Sequence, residues 1–240
     1  MKPHFGTHTN PRRPNYINYV VCNNKETLLY LANLGCIEIN PWNSRVSHLE
    51  KPDYMIMDLD PHGRSMKDLA AVAYVVRDTL EMACEYHFPK TSGKSGIHIY
   101  VPLGARYRYE EVKNFAELIM RIVHAKLPDI TSLERSPQKR KGLIYLDYLQ
   151  NRFGQTIACA YSVRPYPGAT VSAPLLWDEV NAKLDPSKFT IKTIQKRLDS
   201  VDDLWAPLLQ KAVDLHDAIR CLQVHMDKNA TPIKTRRRRK

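Results

Sequence analysis

The stretch Tyr54–Asp60, YMIMDLD, constrains this chain more than any other, because two carboxylates close a run otherwise too apolar for a solvated edge. Side chains of a β-strand alternate between faces, so Asp58 and Asp60 point the same way, and Pro61, His62 and Gly63 mark a turn directly after them. Two carboxylates aimed together out of a buried strand need a counterion. Hard divalent cations such as Mg2+ or Mn2+ supply one, taking oxygen ligands while keeping open positions for phosphate oxygens and water. The pair alone is equally compatible with a plain turn in which Asp60 caps the helix beyond Pro61.

Apolar periodicity divides the rest of the chain into alternating elements. Residues 26–34 show helical spacing closed by Gly35, and CIEIN (36–40) alternates as a strand. Over 66–85, Leu69, Val72, Ala73, Val76, Leu80 and Ala83 keep a helical period, which predicts a crossover helix against a sheet. Strands are expected at 88–91 and 97–101, joined by the tight loop 92–96, a hairpin by composition. A helix over 110–126 follows. Next comes a basic connection whose Lys139, Arg140 and Lys141 are expected to face solvent or phosphate, and then a buried strand at 143–148, LIYLDY, that holds Asp147. Helices near 190–198 and 201–225 end the chain, and no internal repeats are present. Hairpins mixed into crossovers predict an α+β fold around a mixed or antiparallel sheet, ferredoxin-like or RNA-recognition-like. Residues 1–20 are expected to be a loose arm or strand edge, 21–230 one catalytic domain, and 231–240 a basic disordered tail.

At 240 residues the chain buries enough surface to fold without a disulfide or metal staple. Lysine and arginine number 36 against 25 acids, a formal charge of +11, which points to a polyanionic partner such as nucleic acid, with an anionic membrane as the rival. Cys22, Cys36, Cys84, Cys159 and Cys221 form neither a CxxC pair nor a zinc-knuckle spacing, so buried free thiols are expected. No apolar run approaches the ~18 residues of a membrane span, and a cytoplasmic location without a membrane partner is expected.

The loop TSGKSGIHIYVP adds chemistry to the carboxylates. Small residues and backbone amides beside Lys94 form a potential phosphate cradle, with His98 projecting from the strand beyond. A plain hairpin turn is the other reading, and the Walker spacing is absent. Arg164, just before Pro165, Pro167 and Gly168, is placed to grip two phosphate oxygens at once. Asp147 is the natural third carboxylate of a site holding two metal ions ~3.5–4 Å apart.

Together the segments GCIEINPWNSR, DYMIMDLDP, FPKTSGKSGIHIYVPL and LDYLQNRFGQTIACAYSVRPYPGATVSAPLLWDEV, in that order, resemble the polymerase domain of bacterial DNA ligase D, within the archaeo-eukaryotic primase superfamily. The resemblance implies a primase-like catalytic palm. It implies that Asp58, Asp60 and Asp147 are the catalytic, metal-binding carboxylates, with Asp147 towards the primer's 3′ hydroxyl. It further implies that Ser92, Lys94, His98 and Arg164 hold the triphosphate, and that Asn40 lies near the nucleotide where many relatives carry histidine. The implied activity is nucleotidyl transfer from nucleoside triphosphates, with a preference for ribonucleotides, at gapped or broken DNA ends in non-homologous end joining, alongside the Ku protein and a DNA ligase activity. The family's longer front segment, which recognises the 5′ phosphate, is not matched, so the catalytic domain is expected to be shortened at its front. A weakly catalytic module that binds DNA ends or repair partners is the alternative, and a metal nuclease the third reading.

Overall fold

The computed structural model describes residues 4–9 and 16–229. A two-stranded antiparallel ladder, β1 (His4–Thr9) and β2 (Tyr16–Val21), occupies the stretch expected as a loose arm or strand edge. The basic tail lies outside the described residues. Helix α1 (Lys25–Asn33) starts at Asn24, whose side chain accepts from Thr27 N–H at 2.8 Å.

The core is a five-stranded mixed sheet in the order β4-β5-β3-β7-β6, built from β3 (Tyr54–Asp60), β4 (Phe88–Thr91), β5 (Ile97–Pro102), β6 (Thr131–Ser132) and β7 (Ile144–Asp147). Every neighbouring pair is antiparallel except β6 with β7. Helices α2 (Met66–Glu81) and α3 (Tyr109–Lys126) form the crossovers from β3 to β4 and from β5 to the β6–β7 edge. The order β4-β5-β3-β7 with helices between is the RNA-recognition-like arrangement expected from the sequence.

The period of two in each strand divides the sheet into two faces. Met55, Met57 and Leu59 of β3, Ile97, Ile99 and Val101 of β5, and Ile144 and Leu146 of β7 are fully buried in one cluster with Leu69, Val72, Val76, Leu80, Val112, Phe115 and Ile119 of the two helices. That face supplies most of the apolar burial. Ser65 caps α2, accepting from Asp68 N–H at 3.2 Å, and the Glu111 carboxylate accepts from Arg108 N–H at 2.9 Å at the start of α3. The opposite face carries Ile56, Asp58, Asp60, His98, Tyr100, Lys90 and Asp147, and is therefore the face that can hold chemistry.

Between Tyr54 and Met57, β3 has no strand on its β7 side. The Asn151 side chain stands in for one: Ile56 N–H donates to Oδ1 at 2.8 Å and Nδ2 donates to Ile56 O at 2.6 Å. Asn151→Ala would strand both backbone groups in a buried site, costing about 2–4 kcal/mol and lowering Tm by on the order of 10 °C. A calorimetric melt within 2 °C of wild type, roughly the shift of a cost below 1 kcal/mol, would show that water replaces the amide.

Three expectations change. CIEIN (36–40) is not a strand: Ile39 meets the fold through single bonds, N–H to Ser162 Oγ at 2.8 Å and O from Cys159 N–H at 3.1 Å, because the facing 159–162 segment is itself irregular. The helix expected over 201–225 is interrupted. Helix α4 (Ile194–Val201) ends at Asp202, whose φ of +58° is outside helical space, and Pro207 has no N–H for a ladder, so α5 runs only Leu215–Asn229. The thiols are free but not buried, with Cys22, Cys36 and Cys221 exposed and Cys84 and Cys159 half-buried.

Candidate active site

Strand register brings the site together. Asp147 of β7 stands opposite Asp58 of β3, Asp58 opposite His98 of β5, and His98 opposite Lys90 of β4. Directly opposed residues have Cβ atoms roughly 4.5–5.5 Å apart and share a face, so one row crosses four strands as carboxylate, carboxylate, imidazole, ammonium. Asp60, two residues beyond Asp58, extends the carboxylate end on the same face.

The carboxylate end is electrostatically unsatisfied. Burial, then the charges of Asp60 and Asp147, push the Asp58 carboxyl well above its ordinary range, against the pull of Lys90 and Arg164. Burial also raises Asp60, which Arg140, Lys94 and His62 pull down. Asp147 is raised by burial, while its Oδ1 accepts from Leu149 N–H at 2.7 Å and its Oδ2 from Gln150 Nε2 at 3.3 Å. Asp58 Oδ1 is buried without a hydrogen-bond partner, since His98 Nε2 approaches only to 3.4 Å. Among the described residues no three carboxylate, imidazole or thiolate side chains stand close enough to share an ion as they are. The donors nevertheless suit a hard cation, being oxygen ligands on one face, with an unpartnered Asp58 oxygen offering a lone pair.

At the other end of the row a lysine is fully buried, a feature sequence reasoning missed. Lys90 Nζ donates to Ser172 Oγ at 2.6 Å and to Ala158 O at 2.9 Å, and lies 2.9 Å from His98 Nδ1. Burial lowers the ammonium to about 7, with Cys159 and Asp58 pulling it back up. Burial, then Lys90 and Arg164, hold the His98 imidazole well below its usual range, so it is neutral at neutral pH.

The glycine-containing loop differs from an open cradle. Ser92 Oγ accepts from both Lys94 N–H (3.2 Å) and Gly96 N–H (3.0 Å), so two of the amides expected for phosphate turn inward. Lys94 itself is exposed, its Nζ 5.0 Å from the Tyr166 ring centre. Arg164 packs under this loop: Nη1 donates to Ser92 O at 2.7 Å, and Nε lies 3.2 Å from Glu38 Oε2. Gly93 makes the approach possible, because its φ is +76° and a Cβ there would sit 2.5 Å from Arg164 Cγ. Asn40 is exposed and donates to Glu38 Oε1 at 3.0 Å, which joins it to Arg164 through that carboxylate. Glu38 was not anticipated; its place between two expected site residues appears only in three dimensions. Arg140, expected in solvent or on phosphate, is half-buried with its guanidinium 3.6 Å from the Tyr145 ring centre, on the Asp60 side of the site. No described helix is long and apolar enough to cross a membrane.

The chain is similar to known proteins in both sequence and fold. The family described as LigD, primase-polymerase domain, matches residues 1–205. The chain is 34% identical over 187 residues to the multifunctional non-homologous end joining protein LigD of Pseudomonas aeruginosa and 36% identical over 183 residues to the bifunctional LigD of Bacillus subtilis. Each match covers 75% of this chain but only 22% and 30%, respectively, of the relative. The solved polymerase domain from Mycobacterium tuberculosis ligase D in complex with DNA superimposes with a TM-score of 0.77 at 25% identity, covering 88% of this chain and 75% of that one.

Proposed function

The chain belongs to the LigD primase-polymerase domain family, and on that premise we propose that it extends the 3′ end of a DNA strand from nucleoside triphosphates. The observation that carries this reading is the row Asp147, Asp58, His98, Lys90, in which crowded carboxylates adjoin an imidazole and a buried lysine. A metal site beside a triphosphate site needs that juxtaposition. Asp58, Asp60 and Asp147 would hold Mg2+ or Mn2+, which when bound lowers the pKa of an attacking hydroxyl and steadies a leaving pyrophosphate. The chain's own residues then do the positioning. Asp147, at the far edge of the row, faces the primer's 3′ hydroxyl. Ser92, Lys94, His98 and Arg164 hold the triphosphate, Arg164 being aimed by Glu38 and Ser92 O, with Asn40 beside them. Residues 21–230 form the catalytic unit. Its substrates are gapped or broken ends in end joining, preferably with ribonucleotides, in company with Ku and a ligase activity in the cytoplasm.

Primer extension on a gapped, 5′-phosphorylated DNA with Mn2+ and ribonucleoside triphosphates tests the reading against the Asp58→Ala, Asp60→Ala double variant. Extension by the wild type alone supports it. A second reading, a DNA-binding module with little catalysis, draws on the looseness of the three carboxylates; it expects no extension and undiminished DNA binding in both proteins.

Gly93→Ala provides a sharper probe of Arg164. The added methyl would meet Arg164 Cγ at 2.5 Å and Ser172 N at 3.0 Å, and displacing the guanidinium by about 1 Å is expected to cost roughly 100-fold in kcat/KM, mostly through nucleotide KM. An unchanged KM would remove Arg164 from the triphosphate site.

A further inference from the structure

We propose that Lys90 is a positioning residue for His98, fixing its ring and its Nε2–H tautomer so that this N–H is presented on the catalytic face. The inference rests on the reading that His98 contacts the triphosphate.

Lys90 lies in β4 directly opposite His98 and is 0% exposed. Three atoms surround its Nζ within 2.9 Å: Ser172 Oγ, Ala158 O and His98 Nδ1. Ala158 O can only accept. The Ser172 hydroxyl donates its own proton to Thr91 O at 2.7 Å, so it too must accept from Lys90. When charged, the ammonium has three protons and no lone pair, and the third proton goes to Nδ1 at 2.9 Å rather than to the more distant Thr91 O at 3.5 Å. Nδ1 is therefore the acceptor nitrogen of a neutral ring, and Nε2 carries the hydrogen. The other side of the ring gives the same answer, because Nε2 faces Asp58 Oδ1 at 3.4 Å, an oxygen without a hydrogen-bond partner. With Asp58 ionised, a bare Nε2 lone pair there would confront a carboxylate.

Burying an ammonium is costly, and nothing in the packing requires one. A methionine fills similar volume and carries no proton. What the lysine adds is direction for the imidazole and positive potential beneath a site that receives a polyanion. Because the anchors come from residues 158 and 172, the segment that also carries Arg164 is tied to His98 through this one side chain.

The test is histidine-selective 15N NMR of the metal-free protein at pH 6, where the Lys90 ammonium, which gives up its proton at about 7, is charged. The expected wild-type pattern for His98 is a protonated Nε2 and an unprotonated Nδ1. In Lys90→Met the single pattern is lost to a mixture of tautomers, and nucleotide KM rises roughly 10- to 100-fold with DNA affinity kept. A wild-type Nδ1–H pattern overturns the proposal, as does a folded Lys90→Met that retains both the tautomer and the KM. If that variant does not fold, the wild-type spectrum decides alone. The spectrum needs no turnover, so failure of the polymerase reading would show separately, as a wild type with the expected tautomer and no extension.

Discussion

Asp58→Asn is expected to lower primer extension by about 1000-fold or more, since a divalent cation at such a site contributes several kcal/mol to the transition state. Asparagine keeps the size and one acceptor oxygen but loses the charge. Asp58 is the residue to change because the row pivots on it: Asp147 is opposite on one side, His98 on the other, and Asp60 is its neighbour on the same face. Phosphate contacts by lysine and arginine are untouched, so DNA affinity should stay within about twofold. Single-turnover extension together with a binding titration checks both halves. Extension reduced less than about tenfold would mean that Asp58 is not a metal ligand, whatever its neighbours. Loss of DNA binding in parallel would instead place it on the nucleic-acid surface.

How much of this could be read from the sequence follows from what is local. Asp58 and Asp60 share a face because they are two apart in a strand, and the apolar run around them fixes that strand without any partner. Leu69, Val72, Val76 and Leu80 likewise announce α2 by spacing alone, and all four are fully buried. Register is not local. That Asp58 meets Asp147 on one side and His98 on the other depends on how β5 and β7 slide against β3, which no periodicity encodes. Lys90 shows the gap most clearly. In FPKT a lysine reads as a surface residue, whereas in the fold it is fully buried and donates to Ala158 and Ser172, 68 and 82 residues away. Asn151 is similar: a polar residue in a loop by sequence, a substitute strand by structure. The failure at CIEIN has the same origin, since alternation signals a strand but pairing requires a regular neighbour, and residues 159–162 do not provide one. Residue type makes Arg164 a candidate for phosphate chemistry and the resemblance adds Ser92, whereas neither points to Glu38, whose carboxylate lies 3.2 Å from Arg164 Nε.

The same Asp58→Asn variant is expected to be more stable than the wild type when no divalent cation is present. Folding raises the carboxyl of Asp58, with burial first and the charges of Asp60 and Asp147 after it. An acid raised by folding binds its proton more tightly in the native state than in the unfolded one. Its stabilisation is therefore complete below the ordinary value of 3.8 and is lost as pH rises through the elevated native value. At neutral pH the native state carries the penalty, and the neutral amide removes it. Asp60 and Asp147 are raised by burial too, and the charge of each opposes ionisation of Asp58. Lys90 and His98 are shifted down and act with the opposite sign, losing stability as pH falls. The difference between the two proteins, followed by thermal melts from about pH 4 to pH 6.5, cancels their direct contributions. The Tm advantage of Asp58→Asn should be small at the acid end and grow with pH. Adding Mn2+ at neutral pH should reverse the order: a cation at 100 times its Kd stabilises the native wild type by about 2.7 kcal/mol and leaves the variant nearly unmoved. A variant less stable than wild type without metal would mark Asp58 as a structural acid paired by Lys90 and Arg164. An equal Mn2+ response in both proteins would place the cation elsewhere. The gain in stability on removing the charge, and its loss when the ion is supplied, is what a carboxylate row held together for a cation should show.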